Sequence, residues 1–276
     1  MRVIVTGGTG FIGNYVINTL LQKNIKVTVT GKNIEKAKSK SWFTKVEFIT
    51  LDLHLPQPES IFKQIASHDK LIHLVWSNLP NYKDLFHFEE NLMPQYFFIK
   101  KIVELGLKDI TVTGTCFEYG MNNGCLSPDR PSDPQNPYAL AKDTLRKFLQ
   151  MLQYENEFRL KWVRLFYMYG EGQSDKSILS QLDKALDNFD TIFNMSGGEQ
   201  LRDYLPVEEV GRKISDICLH ETFDGIINCC SGTPISIRSL VENYLAKHNK
   251  NILLNLGYHP YPDYEPMAFW GENKII

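Results

Sequence analysis

Two clusters in this 276-residue chain have residue types and spacings suited to chemistry. The first is Thr6-Gly7-Gly8-Thr9-Gly10-Phe11-Ile12-Gly13, which follows a short β-branched run and precedes apolar residues at helical spacing. Glycines at 7, 10 and 13 permit a tight turn, close approach of backbone to a pyrophosphate, and close packing of helix on strand. The phosphate would rest on the helix N-terminus. The second is Tyr138-Ala139-Leu140-Ala141-Lys142, which sets a phenol and an ammonium at i and i+4 on one helical face. A free phenol, with a pKa of about 10, transfers protons poorly at neutral pH. A neighbouring ammonium, joined by the cationic nicotinamide of an oxidised dinucleotide, would stabilise the phenolate and lower that value.

Which dinucleotide is read from the second strand. NAD-binding chains carry a carboxylate about 20 residues beyond the glycines, on the ribose 2′-hydroxyl. Here that strand ends Val29-Thr30-Gly31-Lys32-Asn33, and Glu35 falls on the following helix, facing solvent. Lys32 suits a 2′-phosphate or is an ordinary surface lysine, so NADP(H) is favoured over NAD(H). Asp52, after the third strand, is placed to meet the adenine or to serve as a turn residue.

The elements that must position these groups alternate. Strands are expected at 2–6, 25–30, 45–50, 70–75, 109–113 and 161–166, with helices after the glycines and at 33–39, 59–66, 91–105 and from Pro137 to about 152. Such alternation predicts an α/β fold, a Rossmann-type doubly wound parallel sheet whose ligand lies beyond the carboxyl ends of its strands. Residues 1–166 are expected to form the dinucleotide-binding domain. Beyond Tyr167 the pattern breaks into helices at 177–186, 207–220 and 237–247 joined by irregular segments. Residues 167–276 are therefore expected to be mainly a substrate-binding cap, with about 205–230, including a strand at 225–229, rejoining the sheet. The proline-rich stretches 127–137 and 258–266 read as loop.

Composition narrows the class. Lys and Arg number 30 against 32 Asp and Glu, a net charge of −2, which leaves no electrostatic footprint for nucleic acid. At 43% hydrophobic and 22% charged the chain is globular, without an apolar run near the roughly 18 to 20 residues of a membrane span. Its start lacks the pattern of a secretory signal, and a cytoplasmic protein is expected. Cys116, Cys125, Cys218, Cys229 and Cys230 include no C-x-x-C pair and read as reduced thiols, with Cys229 and Cys230 on opposite faces of a strand. The seven histidines are too scattered for a metal site.

With Asp52-Leu53, Ile72-His73-Leu74, Asn91, Thr115 through Gly120, Arg164 through Gly170 and Arg202-Asp203-Tyr204, these motifs run in order through nearly the whole chain. Together they resemble the extended branch of the short-chain dehydrogenase/reductase family, the nucleotide-sugar epimerases, dehydratases and reductases. The resemblance implies that Tyr138 is the general acid/base, that Lys142 is its partner on the nicotinamide ribose, and that the Thr115 hydroxyl bonds the reacting sugar oxygen. It implies dinucleotide contacts at Gly7, Gly10, Phe11, Ile12, Gly13, Lys32, Asp52, Leu53, Leu74, Tyr138 and Lys142. Substrate contacts are implied at Thr115, Cys116, Phe117, Tyr167 and Arg202, the last on the substrate diphosphate, which a guanidinium suits. The other reading of Arg202 is an internal pair with Asp203 or Glu208, and Tyr119 reads as structural. A homodimer through the two long helices is also implied; Phe97, Phe98, Leu145, Leu149 and Leu152 fit that interface or ordinary packing on the sheet.

Departures from the family pattern narrow the reaction. Its 4,6-dehydratases carry Asp-Glu directly after the catalytic Thr, where this chain has Cys116 and Phe117, so water loss is disfavoured. The GDP-fucose synthase type carries a cysteine base two residues after the hydroxyl, where Phe117 stands; Cys116 reads as a packed thiol. Tyr167 replaces an asparagine common in the family. The expectation is NADPH-dependent reduction of the C4 ketone of a nucleotide-linked 4-keto-6-deoxyhexose, dTDP-linked, in deoxysugar or surface polysaccharide biosynthesis. The alternatives are a nucleotide-sugar 4-epimerase with tightly bound NAD and a non-catalytic dinucleotide-binding sensor.

Overall fold

A computed structural model describes residues 1–79 and 81–274. Seven strands, β1 (Arg2–Thr6), β2 (Lys26–Gly31), β3 (Glu47–Thr50), β4 (Lys70–His73), β5 (Asp109–Thr115), β6 (Arg159–Leu165) and β7 (Gly225–Cys229), form one sheet. All its pairings are parallel, in the order β7-β6-β5-β4-β1-β2-β3. The chain winds outward from β1 to β3 and returns to β4 on β1's other side, so the strand order reverses between β1 and β4. A crevice opens at that point, at the carboxyl ends of the strands.

Alternation along each strand sorts the core into two layers. Ile4, Leu71, Ile110, Val112 and Trp162 face the helices α3 (Glu59–Ala66), α4 (Leu92–Glu104) and α5 (Pro137–Leu152). Val3, Val5, Val29, Ile72 and Val163 face α1 (Phe11–Gln22) and α7 (Val207–Leu219), through Val16, Ile17, Leu20, Val210 and Ile214. Fully buried side chains of this size contribute about 1.5–3 kcal/mol each. The fold is therefore α/β with helices on both faces of a doubly wound sheet, as expected. The strand at 225–229 joins that sheet beside β6, in register from Gly225–Lys161 to Cys229–Leu165.

Beyond the sheet, α6 (Ile178–Asp187) and α8 (Ile237–Lys247) share a separate cluster that includes Leu179, Leu182, Leu240 and Val241. Beside it, Leu201–Pro206 pairs in parallel with Tyr167–Tyr169 and antiparallel with Pro234–Ser236. Phe269–Gly271 pairs with Gly124–Leu126, bringing the end of the chain back beside the segment that follows β5. Three-residue strands carry too little periodicity to be read in advance.

Three expectations shift. A π turn, His87–Asn91, precedes α4, so helical structure begins four residues before Asn91. β5 runs two residues further, to Thr115. Of the apolar residues considered for a dimer interface, Phe98, Leu145, Leu149 and Leu152 are core residues against the sheet, and only Phe97 is exposed. The exposed apolar residues of the two helices are instead Met93, Phe97, Leu140, Phe148 and Met151. Among the described residues no helix is long and apolar enough to cross a membrane. All five cysteines are free; Cys116, Cys218, Cys229 and Cys230 are buried and Cys125 is exposed.

Candidate active site

The glycine turn is shaped as a phosphate seat. Gly7 has φ +74°, and a Cβ there would lie 3.1 Å from the Leu74 carbonyl carbon and the Val75 nitrogen, at the end of β4. Gly13 packs so closely that its Cβ would come within 2.6 Å of the Gly8 Cα. Helix α1 begins at Gly10, which has no side chain to cap it, and its first turn holds no acidic residue. Its leading N–H groups are left for an anion, and the helix dipole favours one. The residues present thus fit a dinucleotide pyrophosphate. Leu53 and Leu74 are half-buried neighbours of the two core layers at the same edge of the sheet.

Lys32 and Asp52, read separately from the sequence, meet across the tips of β2 and β3. Lys32 Nζ lies 2.9 Å from Asp52 Oδ1. The hydrogen bonds from Lys32 and the His54 backbone hold the Asp52 carboxyl below its ordinary value, against the opposing effect of its partial burial. Asn33 is spent on capping α2 (Ile34–Lys38), and Glu35 pairs with Lys38 in solvent.

Thr115, Tyr138 and Lys142 come together where β5 ends and α5 begins. Asn136 caps α5 through the Ala139 N–H at 2.9 Å, and Pro137 supplies its first position. Tyr138 and Lys142 are thereby aimed from the first turns of α5 at the end of β5. Lys142 Nζ donates to the Thr113 carbonyl at 2.8 Å and stands 4.1 Å from the centre of the Trp76 ring. Burial pulls its pKa down to about 7, with Glu118 opposing. Burial likewise pushes the Tyr138 phenol well above its usual value, aided by Tyr82, Glu118 and Cys116, while a hydrogen bond with Thr115 acts the other way. Among the chain's own groups, desolvation by the surrounding apolar pocket dominates the phenol.

A buried ion pair braces Thr115. The turn Cys116–Tyr119 opens with a reciprocal cap, Thr115 Oγ accepting from Phe117 N and Glu118 Oε1 from Thr115 N. Glu118 also accepts from Trp162 Nε1 and, at 2.7 Å, from Arg164 Nε. Tyr119 donates to Asn228 and its ring lies against Arg164, a structural position. Burial raises the Cys116 thiol far above its free value, so it is packed and protonated. His73 is buried and pulled down to about 3; its ring nitrogens lie 2.8 Å from Thr6 Oγ and Gln95 Oε1, joining β1, β4 and α4.

Over Tyr138 lies an aromatic wall that only the tertiary structure reveals. Tyr82 and His87 sit 5.5 and 5.3 Å from its ring centre, and Phe117 and Tyr264 pack on Tyr82 at 5.1 and 6.4 Å. Trp76 Nε1 donates to His87 Nδ1. Tyr167 lies 6.1 Å from Phe117. Trp76 and His87 flank the end of β4, the edge where such folds hold ligands, and that position was the available signal. Tyr264 comes from the proline-rich tail, for which no local pattern exists.

Arg202 reaches the same wall, 4.7 Å from the Phe269 ring, and pairs with neither Asp203 nor Glu208. Its Nε and Nη2 both donate to Glu265 Oε2, at 3.0 and 2.8 Å. Asp203 instead accepts from the Ser231 and Gly232 backbone. Glu265 is 63 residues away in sequence, beyond the reach of any spacing argument.

The model of the NAD dependent epimerase/dehydratase family matches residues 3–230. The chain is 33% identical over 272 residues to a dTDP-6-deoxy-L-talose 4-dehydrogenase (NAD(+)) of Aggregatibacter actinomycetemcomitans, covering 98% of this chain and 99% of that one. It is 23% identical to the dTDP-4-dehydro-6-deoxyglucose reductase of Escherichia coli, over 91% of this chain and 83% of the other. In fold it is similar to a UDP-glucose-4-epimerase from Stenotrophomonas maltophila solved with bound NAD and formylated UDP-arabinopyranose, at a TM-score of 0.85 and 15% identity, covering 99% and 90% of the two chains. With a glycine cradle, a Tyr-x-x-x-Lys helix and a family match over most of its length, this chain belongs to the NAD dependent epimerase/dehydratase family of enzymes that act on nucleotide sugars.

Proposed function

We propose that the chain transfers a hydride between a nicotinamide dinucleotide and C4 of a dTDP-linked 6-deoxyhexose, reducing the 4-keto sugar in deoxysugar biosynthesis. The observation that carries this reading is the Tyr138 phenol, held protonated beside the Thr115 hydroxyl at the end of β5. Cys116 is a buried, protonated thiol, and Glu118 is turned beneath the strand to Arg164. The similarity to a relative named for 4-dehydrogenation of a dTDP-6-deoxyhexose supports the same carbon and sugar class.

The glycine turn and the N-terminus of α1 would hold the dinucleotide pyrophosphate, and the dinucleotide when bound would supply the hydride for C4. Tyr138 gives its proton to the sugar oxygen as that oxygen gains charge, and the buried phenol rests in the proton-donating form. Thr115 holds the same oxygen by a second hydrogen bond, and its own position is fixed by Glu118. Lys142, held by the Thr113 carbonyl, stands beside Tyr138 in position for the nicotinamide ribose, and Arg202 receives the diphosphate. Cys116, Phe117 and Tyr167 line the sugar.

For the dinucleotide we infer NAD(H). Lys32, the residue that favoured a 2′-phosphate and NADP(H), is engaged by Asp52, whose carboxylate would repel a phosphate at that place. We further propose a homodimer through the exposed apolar faces of α4 and α5, which present Met93, Phe97, Leu140, Phe148 and Met151. Exposed apolar residues gathered on adjoining helices mark such interfaces.

The test is incubation with dTDP-4-keto-6-deoxyglucose and with its 3,5-epimerised form, with NADH and NADPH in parallel, following reduced-nicotinamide absorbance. NADH oxidation on one of these sugars is expected, with NADPH slower. Silence with both cofactors on both sugars overturns the reading, and sugar interconversion without added cofactor replaces it with 4-epimerisation.

A further inference from the structure

The tail that supplies Tyr264 and Glu265 closes over the site from outside the sheet. Between Tyr258 and Pro266 it forms no helix or strand. Besides Glu265, it is tied by the Tyr258 and His259 N–H groups, which donate to the Met195 carbonyl, by Tyr261 Oη, which donates to Glu199, by an Asp263–Lys83 pair at 2.9 Å, and by Tyr264, which packs on Tyr82 and Phe117. Beneath it Tyr138 is 8% exposed and Arg202 3%. The strap's Glu265 thus lies on the Arg202 guanidinium, where a substrate diphosphate would have to lie.

Arg202 is fully engaged by its own chain. Its Nη1 donates to the Leu201 and Met267 carbonyls, and its Nε and Nη2 hold Glu265, whose side chain is 9% exposed. Removing Glu265 alone would leave a buried guanidinium without a counter-charge, which is strongly unfavourable. Whatever lifts the strap must put another anion on Arg202.

We propose that Glu265 is an internal competitor, an anion that occupies the seat of the substrate diphosphate on Arg202 and has to be displaced before a ligand can use it. This rests on the reading above that Arg202 receives the diphosphate. A diphosphate brings more charge and more acceptor oxygens than one carboxylate, and it can meet the guanidinium through two of them. Because the closed fraction is a property of the free protein, Glu265 lowers the apparent affinity of every ligand that needs Arg202 by the same factor.

Calorimetric titration of dTDP and dTMP into the wild type, Glu265→Gln, Glu265→Ala, Arg202→Met and the Arg202→Met/Glu265→Ala double variant tests this. An apparent affinity is reduced by the fraction of molecules that are closed, so a protein closed about nine times in ten gains roughly tenfold when the competitor is removed. Both Glu265 variants should bind dTDP and dTMP about tenfold tighter, by the same factor, with the preference between them unchanged. Arg202→Met should weaken dTDP, and adding Glu265→Ala to it should restore nothing. If the Glu265 variants bind dTDP equally or more weakly while Arg202→Met still loses affinity, Glu265 merely props the arginine and the proposal fails. If Arg202→Met binds dTDP as the wild type does, the diphosphate reading fails and takes the proposal with it. NADH titration of each variant reports whether it is folded.

Discussion

At Tyr138 two effects oppose each other, and their sizes decide the chemistry. Burial raises the phenol and a hydrogen bond with Thr115 lowers it; here burial prevails, and Lys142 is itself pulled down to about 7. Tyr138→Phe removes the hydroxyl proposed to protonate the sugar oxygen. Turnover should fall by about 10²- to 10⁴-fold, the usual worth of a positioned acid, with NADH affinity nearly unchanged by fluorescence titration. Lys142 carries a stability consequence as well. Its ammonium titrates at 10.5 when unperturbed and at about 7 in the folded chain, so between those values the unfolded chain binds the extra proton. Stability at this site therefore rises with pH from about 7 upward, and the penalty is complete below 7. Lys142→Met should gain in Tm relative to the wild type at pH 6, and that difference should shrink by about 2 °C or more at pH 9. A constant or growing difference in scanning calorimetry would contradict it.

The short turn Cys116–Tyr119 shows how an element transmits a buried charge to a reacting group. Glu118 ties the end of β5 to Trp162 and Arg164 on β6, and both ions of the Glu118–Arg164 pair are almost wholly buried. Breaking such a pair from one side costs about 3–5 kcal/mol, because the remaining charge has no partner. Glu118→Gln should lower the unfolding free energy by about that amount in urea titration and loosen Thr115. Rescue of stability by Glu118→Met/Arg164→Met without rescue of turnover would identify the pair as the positioning device. The strap 258–266 is a different kind of element, without helix or strand, held by the buried Arg202–Glu265 pair, an exposed ion pair, aromatic contacts and two backbone bonds to Met195.

On the scale of the whole molecule, β1 and β4 set where everything converges. The glycine cradle ends β1, Trp76 follows β4, Thr115 ends β5, and α5 aims Tyr138 and Lys142 at the same edge. The opposite faces of α4 and α5 bury Phe98, Leu145, Leu149 and Leu152, so Phe97, Phe148 and Met151 are left facing outward. Replacing Phe97 and Met151 together with Glu should convert a dimer into a monomer by light scattering, with NADH binding retained, since neither side chain supports the sheet. Wild-type protein that elutes at the chain mass of 31.9 kDa would refute the dimer.

Local chemistry determined the glycine cradle, the alternating elements and the Tyr138–Lys142 face, because each depends on residues within a few turns of one another. Turn conformation, helical period and strand alternation are all short-range properties, and β1, α1, α3, α5 and α8 fall where the pattern placed them. The tertiary structure alone decided which charges meet. Lys32 and Asp52, Glu118 and Arg164, and Arg202 and Glu265 are 20, 46 and 63 residues apart, and no periodicity links them. It also decided which way the acid–base pair titrates, since desolvation depends on the whole surrounding wall of Trp76, Tyr82, Phe117 and Tyr264, gathered from three separate stretches of chain.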